Sequence, residues 1–417
     1  MSAVKRTALA VASAALLVPT ILVVPAAHAV DPDPKSDDKP KPPAAMSSVG
    51  GEKLGKAGTQ VELLPGAPVL PKDLSGRSWI VADAESGEVL ASHNAHWRLA
   101  PASTLKMLFA DTVLPRLPRD QVYKVKPADL EGMGDGSSLV GVKEDLDYKV
   151  QDLWRGVFLK SGNDAVHVLT AMNGGLPKTV ADMNAHAREL QAVDTHVASP
   201  DGYDSPGQVS SAYDLTLIAR SGMQKKDFRE YAATVRAKFP GERLPDGTRD
   251  SFEIQSTNRL MTGEDDVAPY KGIAGVKNGN TSHAGATFTG VAQRGEKVLL
   301  VTVMNPQSDE SQAVYKETAR LLDWGFQAAG RVKPVGELVA PRSVDTGAGK
   351  GAPPAKGKAK GKAEESAAPT RLAAVDSGSS GVGIALAVAG GLLVVLAGAV
   401  FLVNRKWPVP ALSRRRP

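Results

Sequence analysis

Leu99-Ala100-Pro101-Ala102-Ser103-Thr104-Leu105-Lys106-Met107-Leu108-Phe109-Ala110 is the stretch on which the reading of this chain turns. Pro101 marks the start of a helix predicted over residues 103–114. Ser103 and Lys106 stand three residues apart, so on a helix the hydroxyl and the amine share one face. Serine is a poor nucleophile until a neighbouring base takes its proton. Lysine can be that base only if its pKa falls far below the ordinary value, at which about one molecule in a few thousand is neutral at pH 7. Desolvation and a second cation both push it down. The pattern therefore demands another positive group nearby, in a partly dry site. A helix start also turns backbone N–H groups toward developing negative charge.

Two later patterns follow in order. Ser161-Gly162-Asn163 lies in a small-polar break between helical stretches, and Lys277-Asn278-Gly279 ends the short apolar run 273–276. Each pattern alone is weak. Ser2 and Ser36 also begin S-x-x-K, Ser92 and Ser256 begin S-x-N, and Lys53 and Lys56 begin K-x-G. The first two lie where no pocket can form, and the ordered trio is what carries weight. No H-E-x-x-H helix, Gly-rich phosphate loop or G-x-S-x-G elbow is present. His167 and His186 are expected to be surface or core residues, and nothing points to a Ser-His-Asp triad. No metal and no cofactor are expected.

Working outward, residues 78–84 and 89–94 read as a hairpin around Glu85-Ser86-Gly87, and 286–293 with 297–304 as a second. Between 150 and 220 the apolar spacing is mostly helical, as in Leu153, Val157 and Phe158. Residues 311–328 form an amphipathic helix with Val314, Leu321, Leu322 and Phe326 on one face. Strands open and close the domain and helices fill the middle: an α+β arrangement whose terminal strands should share one antiparallel sheet.

The ends predict export and anchoring. Residues 1–29 read as a signal peptide, with Lys5 and Arg6, an apolar stretch and Ala27-His28-Ala29 as cleavage site. Residues 30–73 read as a Pro/Lys-rich solvated linker, 74–340 as the catalytic domain and 341–380 as a disordered linker. Residues 381–403 carry no charge and span about 35 Å as a helix, enough to cross a bilayer. The basic tail 404–417 would stay cytoplasmic, which places the domain on the extracellular side of the cell membrane. With Cys 0, neither disulfides nor thiolate metal sites are available. The net charge of +5 is concentrated in these ends and implies no nucleic acid partner.

Residues 78–328 resemble the low-molecular-mass penicillin-binding proteins that act as D-alanyl-D-alanine carboxypeptidases. Beyond S-x-x-K, S-x-N and K-[TS]-G, the flanks Leu99 to Ser103, Gly136-Ser137-Ser138 and Ser211-Ala212-Tyr213-Asp214-Leu215 are also similar. The resemblance implies a β-lactamase/penicillin-binding-protein-like fold with the active site between the sheet and a mostly helical lobe. It implies that Ser103 attacks the bond between the two terminal D-alanines of a peptidoglycan stem peptide, and that Lys106 accepts its proton. Ser161 would relay a proton to the leaving amine, and Asn163 would hold the Lys106 amine and the substrate amide. Lys277 would be the second cation. Asn278, Gly279 and Asn280 would bind substrate, the N–H groups of Ser103 and Asn280 forming the oxyanion hole. β-Lactams would acylate Ser103 by the same route.

Two departures stand out. Asn278 replaces the usual Thr or Ser, whose hydroxyl helps bind the substrate carboxylate in the family. The extra β-rich domain of many members is not expected before the anchor. The alternatives are a catalytically weak wall-binding protein, for which Asn278 argues, a D,D-endopeptidase, and a class A β-lactamase. No E-x-x-L-N stretch follows Ser161 to favour the last.

Overall fold

Trp79-Ile80-Val81-Ala82 and Leu299-Leu300-Val301 are continuous apolar runs, the mark of strands covered on both faces. In the computed structural model, which describes residues 40–264 and 266–345, they lie side by side at the centre of one sheet. Its strands are β1 (Thr59–Leu63), β2 (Gly76–Asp83), β3 (Glu88–His93), and, late in the chain, β8 (Ile273–Thr281), β9 (Gly285–Arg294), β10 (Lys297–Pro306), β11 (Val332–Lys333) and β12 (Gly336–Glu337). The order is β11-β1-β3-β2-β10-β9-β8, with β12 also on β3, and every pairing is antiparallel.

Successive side chains on β2 and β10 point to opposite faces. Trp79, Val81, Leu299 and Val301 pack with Leu321, Leu322 and Trp324 of helix α8 (Ala313–Ala328). Ile80, Ala82 and Leu300 pack into the larger core. There they join helices α1 (Lys106–Val113), α2 (Val150–Lys160), α3 (Asn163–Met172), α4 (Leu176–Glu189), α5 (Ala212–Gly222) and α6 (Lys226–Ala233). Short hairpins β4 (Val122–Lys124) with β5 (Asp147–Lys149) and β6 (Arg236–Arg243) with β7 (Arg249–Gln255), and the turn of helix α7 (Arg259–Thr262), complete the set. Strands from the two ends of the domain do share one antiparallel sheet, as the patterning predicts.

Three boundaries differ from the sequence reading. The linker predicted over 30–73 contains β1, which pairs Thr59 with His93 and Glu62 with Lys333. Leu54, before it, is fully buried in the core. Pro, Lys and Gly dominate this stretch, but Thr59-Gln60-Val61-Glu62-Leu63 alternates, and partners distant in sequence complete it as a strand. The linker predicted from 341 begins with a helical turn, Arg342–Asp345, and the Ser343 N–H donates to Glu189 Oε1 (2.9 Å). The predicted helix over 103–114 opens instead as a 3₁₀ turn, Ala102–Leu105, before α1. The predicted signal peptide, spanning helix and basic tail lie outside the described residues. Among the described residues no helix is long and apolar enough to cross a membrane.

Candidate active site

Ser103 sits in a turn that the rest of the fold clamps. Ala102 adopts a left-handed backbone (φ 49°), a conformation costly for a side chain bearing Cβ and kept only where the surroundings impose it. The Pro101 carbonyl accepts from Thr104 Oγ1 (2.5 Å) and from Thr287 Oγ1 of β9 (3.0 Å). Two glycines let backbone approach the nucleophile. A Cβ at Gly279 of β8 would fall 2.6 Å from the Ser103 nitrogen, and one at Gly202 would fall 2.1 Å from the Ala102 carbonyl oxygen.

Lys106, one turn on, places Nζ 2.8 Å from Ser103 Oγ and donates to the Asp201 carbonyl at 2.5 Å. Its side chain is 1% exposed, and burial pushes its pKa down to about 8 although Asp201 and Asp164 pull it up. Lys277 of β8 is equally buried, and its pKa lies well below the ordinary lysine value, through burial first and repulsion from Lys106 second. Lys277 thus shares the dry site, with the repulsion between the two amines falling on Lys277 and not on Lys106, where the second cation was expected to act. Desolvation is what lowers Lys106 itself, and the two amines disfavour both being charged. Lys277 Nζ donates to the Asn278 carbonyl (2.7 Å).

Ser161 and Asn163 come from a helix corner. α2 stops at Lys160, Ser161 turns left-handed (φ 57°), and α3 starts at Asn163. Asp164 braces the corner, its carboxylate accepting from the N–H groups of Val140, Gly141 and Val142 (2.8–3.0 Å). Asn163 Nδ2 donates to Ser137 Oγ (3.0 Å), while its Oδ1, the atom that could accept from Lys106 as expected, makes no hydrogen bond to it. Ser161 Oγ and Asn163 Oδ1 are buried without a hydrogen-bond partner. Such orphans are expensive unless a substrate completes them.

Among the remaining candidates, Asn278 is half-buried and its Oδ1 accepts from Thr257 Oγ1 (3.1 Å). Gly279 abuts Ser103, and Asn280 is exposed at the sheet edge, paired with Ala286. Arg294 does not turn to the cleft; it binds Asp323 and Tyr270 (2.6 Å each). His186 is a structural partner of buried Asp111. His167 instead faces Asp201, 3.8 Å away. The sequence reading passed over the segment 201–204. It meets Ser103 through Gly202 and Lys106 through Asp201, while Tyr203 Oη donates to the Asp135 carbonyl (2.9 Å) and Asp204 Oδ1 accepts from Thr281 Oγ1 (2.7 Å). Most of these contacts use backbone, which leaves no residue-type signature. Ser137 was visible only within a similar flank.

The one group of His and Asp with metal-ligand spacing among the described residues is His96, Asp194 and Asp214. Both ring nitrogens of His96 are already engaged, by Asp194 (2.6 Å) and the Val49 carbonyl (3.0 Å). That arrangement suits a hydrogen-bonded clasp better than an ion.

With this geometry in hand, comparison with known proteins is direct. The profile of the D-alanyl-D-alanine carboxypeptidase family matches residues 66–308. D-alanyl-D-alanine carboxypeptidase DacB2 of Mycobacterium tuberculosis is 35% identical over 269 residues, covering 64% of this chain and 87% of the relative. DacD of Salmonella typhimurium is 30% identical, covering 62% of this chain and 64% of the relative, so the match spans less than two thirds of that protein. The solved D-alanyl-D-alanine carboxypeptidase from M. tuberculosis superposes with a TM-score of 0.59 at 34% identity, over 66% of this chain and 99% of that one. The Streptomyces K15 DD-transpeptidase shares the fold (TM-score 0.57, 24% identity, 62% and 99% covered). A half-buried serine joined to a desolvated lysine, on this sheet and in these matches, makes the chain a member of the D-alanyl-D-alanine carboxypeptidase family of serine peptidases.

Proposed function

We propose that Ser103 is the nucleophile of a serine-type carboxypeptidase that removes the terminal D-alanine from peptidoglycan stem peptides. The observation that carries this is the 2.8 Å separation of Lys106 Nζ and Ser103 Oγ where burial holds Lys106 near the range of a working base. Neutral Lys106 takes the hydroxyl proton as Ser103 Oγ attacks the carbonyl carbon. The N–H groups of Ser103 and Asn280 receive the oxyanion. Ser161 gives its proton to the departing D-alanine nitrogen and takes the one held by Lys106, which becomes neutral again, and Asn163 Oδ1 accepts the substrate amide N–H. Water then attacks the ester, releasing the shortened peptide and returning the proton to Ser103. A β-lactam follows the first half of this path, its amide bond opening onto Ser103 to leave a slowly hydrolysed ester.

The membrane setting belongs to the same reading. Residues 1–29 direct export, and the uncharged run 381–403 before Arg405 and Lys406 anchors the enzyme with its domain outside. Alkaline extraction of cell membranes should leave the full chain in the pellet, and release into the supernatant would remove the anchor.

Labelling the full chain with fluorescent penicillin is the first test. Wild type should take a covalent label that Ser103→Ala loses, and an unlabelled wild type would leave a binding protein without catalysis. Free D-alanine from a peptide ending in D-Ala-D-Ala establishes the hydrolase. Cleavage of crosslinked dimers at a comparable rate would shift the assignment to endopeptidase.

A further inference from the structure

Asn163 and His167 are one turn apart on α3 and share a face. His167 Nε2 lies 3.8 Å from Asp201 Oδ2, and the Asp201 carbonyl holds Lys106 Nζ. The face that carries Asn163 is therefore turned to the segment on which Lys106 rests. Asn163 is also gripped by residues 137–138. Its backbone N–H donates to the Ser138 carbonyl (2.8 Å), and its Nδ2 donates to Ser137 Oγ (3.0 Å). Its Oδ1 is buried without a partner.

Ser137 has one hydroxyl hydrogen, and it is committed. Its Oγ donates to the Gly134 carbonyl at 2.6 Å, and the Ser137 N–H closes a turn on the same oxygen (3.2 Å). A carbonyl only accepts, so the hydroxyl presents only lone pairs to Asn163. An amide has two ends of nearly equal shape, one that donates and one that accepts. Nδ2 satisfies the lone pairs, whereas Oδ1 in its place would set oxygen against oxygen with no hydrogen between them. The turn itself is held, because Tyr203 Oη donates to the Asp135 carbonyl (2.9 Å). Tyr203 belongs to the segment that supplies the Asp201 carbonyl and passes over Ala102 at Gly202.

We propose that Ser137 is a positioning residue which locks the direction of the Asn163 amide and so keeps its acceptor end, Oδ1, free for the N–H of the substrate. A buried Oδ1 without a partner is what such a lock leaves behind, since an amide with both ends filled would have nothing to offer. Without the hydroxyl the amide can turn about its last bond, and the substrate then meets a donor where it needs an acceptor. Ser137 acts only through Asn163. The 201–204 segment thereby sets two directions: that of the Lys106 amine through its own carbonyl, and that of the Asn163 amide through the turn at 134–137.

The proposal rests on the Ser103 and Asn163 reading, and the test separates the two. The acylation rate of the full chain by fluorescent penicillin is the readout. Ser137→Ala frees the amide, and the rate should fall about tenfold, the scale of one misdirected hydrogen bond. Ser137→Thr keeps the oxygen and should recover most of that loss. Asn163→Ala removes the amide, and adding Ser137→Ala to it should slow the reaction no further, because the two residues act as one unit. A serine that merely held the turn would instead slow both backgrounds alike. A Ser137→Ala rate equal to wild type, or a loss that persists in the Asn163→Ala background, overturns the proposal. If Asn163→Ala does not fold, Ser137→Thr decides alone, and a rate as low as that of Ser137→Ala overturns it. A wild type that takes no label removes the nucleophile reading itself, and this inference with it.

Discussion

At the cleft, Lys106 and Lys277 are both desolvated and both shifted downward, and at the α2–α3 corner Ser161 Oγ and Asn163 Oδ1 are buried without partners. Beside α5, in the same core, His96, Asp194 and Asp214 are buried as deeply, yet almost every polar atom is used. His96 bridges Asp194 and the Val49 carbonyl, Arg98 Nε reaches Asp194 (3.2 Å), and Asp214 Oδ2 accepts from the Asp194 N–H and Thr195 Oγ1. Only Asp214 Oδ1 has no partner, and burial, with Asp194 next, pushes that carboxyl up to about 7. Shifted protonation therefore marks both places and cannot by itself tell chemistry from scaffold. What differs is that the first cluster has a hydroxyl in proton-transfer range and unfilled hydrogen-bond sites, whereas the second ties an N-terminal segment to α5.

The largest expected effect separates the two at once. Lys106→Met should slow penicillin acylation by about 10³-fold, the loss of a general base, while the melting temperature stays near wild type. A rate within tenfold of wild type would move the base elsewhere. His96→Ala should do the reverse. Leaving buried Asp194 with only Arg98 should cost about 3 kcal/mol in urea unfolding, with the penicillin acylation rate of the folded protein unmoved. Next comes a pH effect. Asp214 binds its proton more tightly folded (about 7) than unfolded (3.8), so stability should fall as pH rises through that interval. Asp214→Asn should flatten this slope, and an unchanged slope would free Asp214 of responsibility. The smallest effect is expected at the third motif. Asn278→Thr should raise D-alanine release about fivefold, the scale of one hydrogen bond, and a fall would show that Asn278 suits its site.

Much of this was legible in the residues. Ser103, Lys106, Ser161, Asn163 and Lys277 could be named because their chemistry needs those side chains, β2 and β10 because two covered faces need apolar runs, and β9 because it forms a hairpin with β10. Two kinds of feature escaped. β1 is a short piece completed by partners far away in sequence, and β6–β7 is a mostly exposed polar hairpin without a clean apolar alternation. The second kind acts through main chain: the Asp201 carbonyl on Lys106, and the close passage of Gly202 over Ala102. That burial is what lowers both lysines also needed coordinates, since burial is a property of the packed molecule.

The far edge of the sheet has a consequence of a different sort. β1 zips to β11, the Glu337 N–H donates to the Gly50 carbonyl (2.8 Å), and Tyr213 Oη donates to the Glu337 carbonyl (2.8 Å). The incoming and outgoing chain are thus stitched to each other, at the edge opposite β8. A pull applied between residues 40 and 345 would be borne by this seam first, far from the edge where Gly279 abuts Ser103.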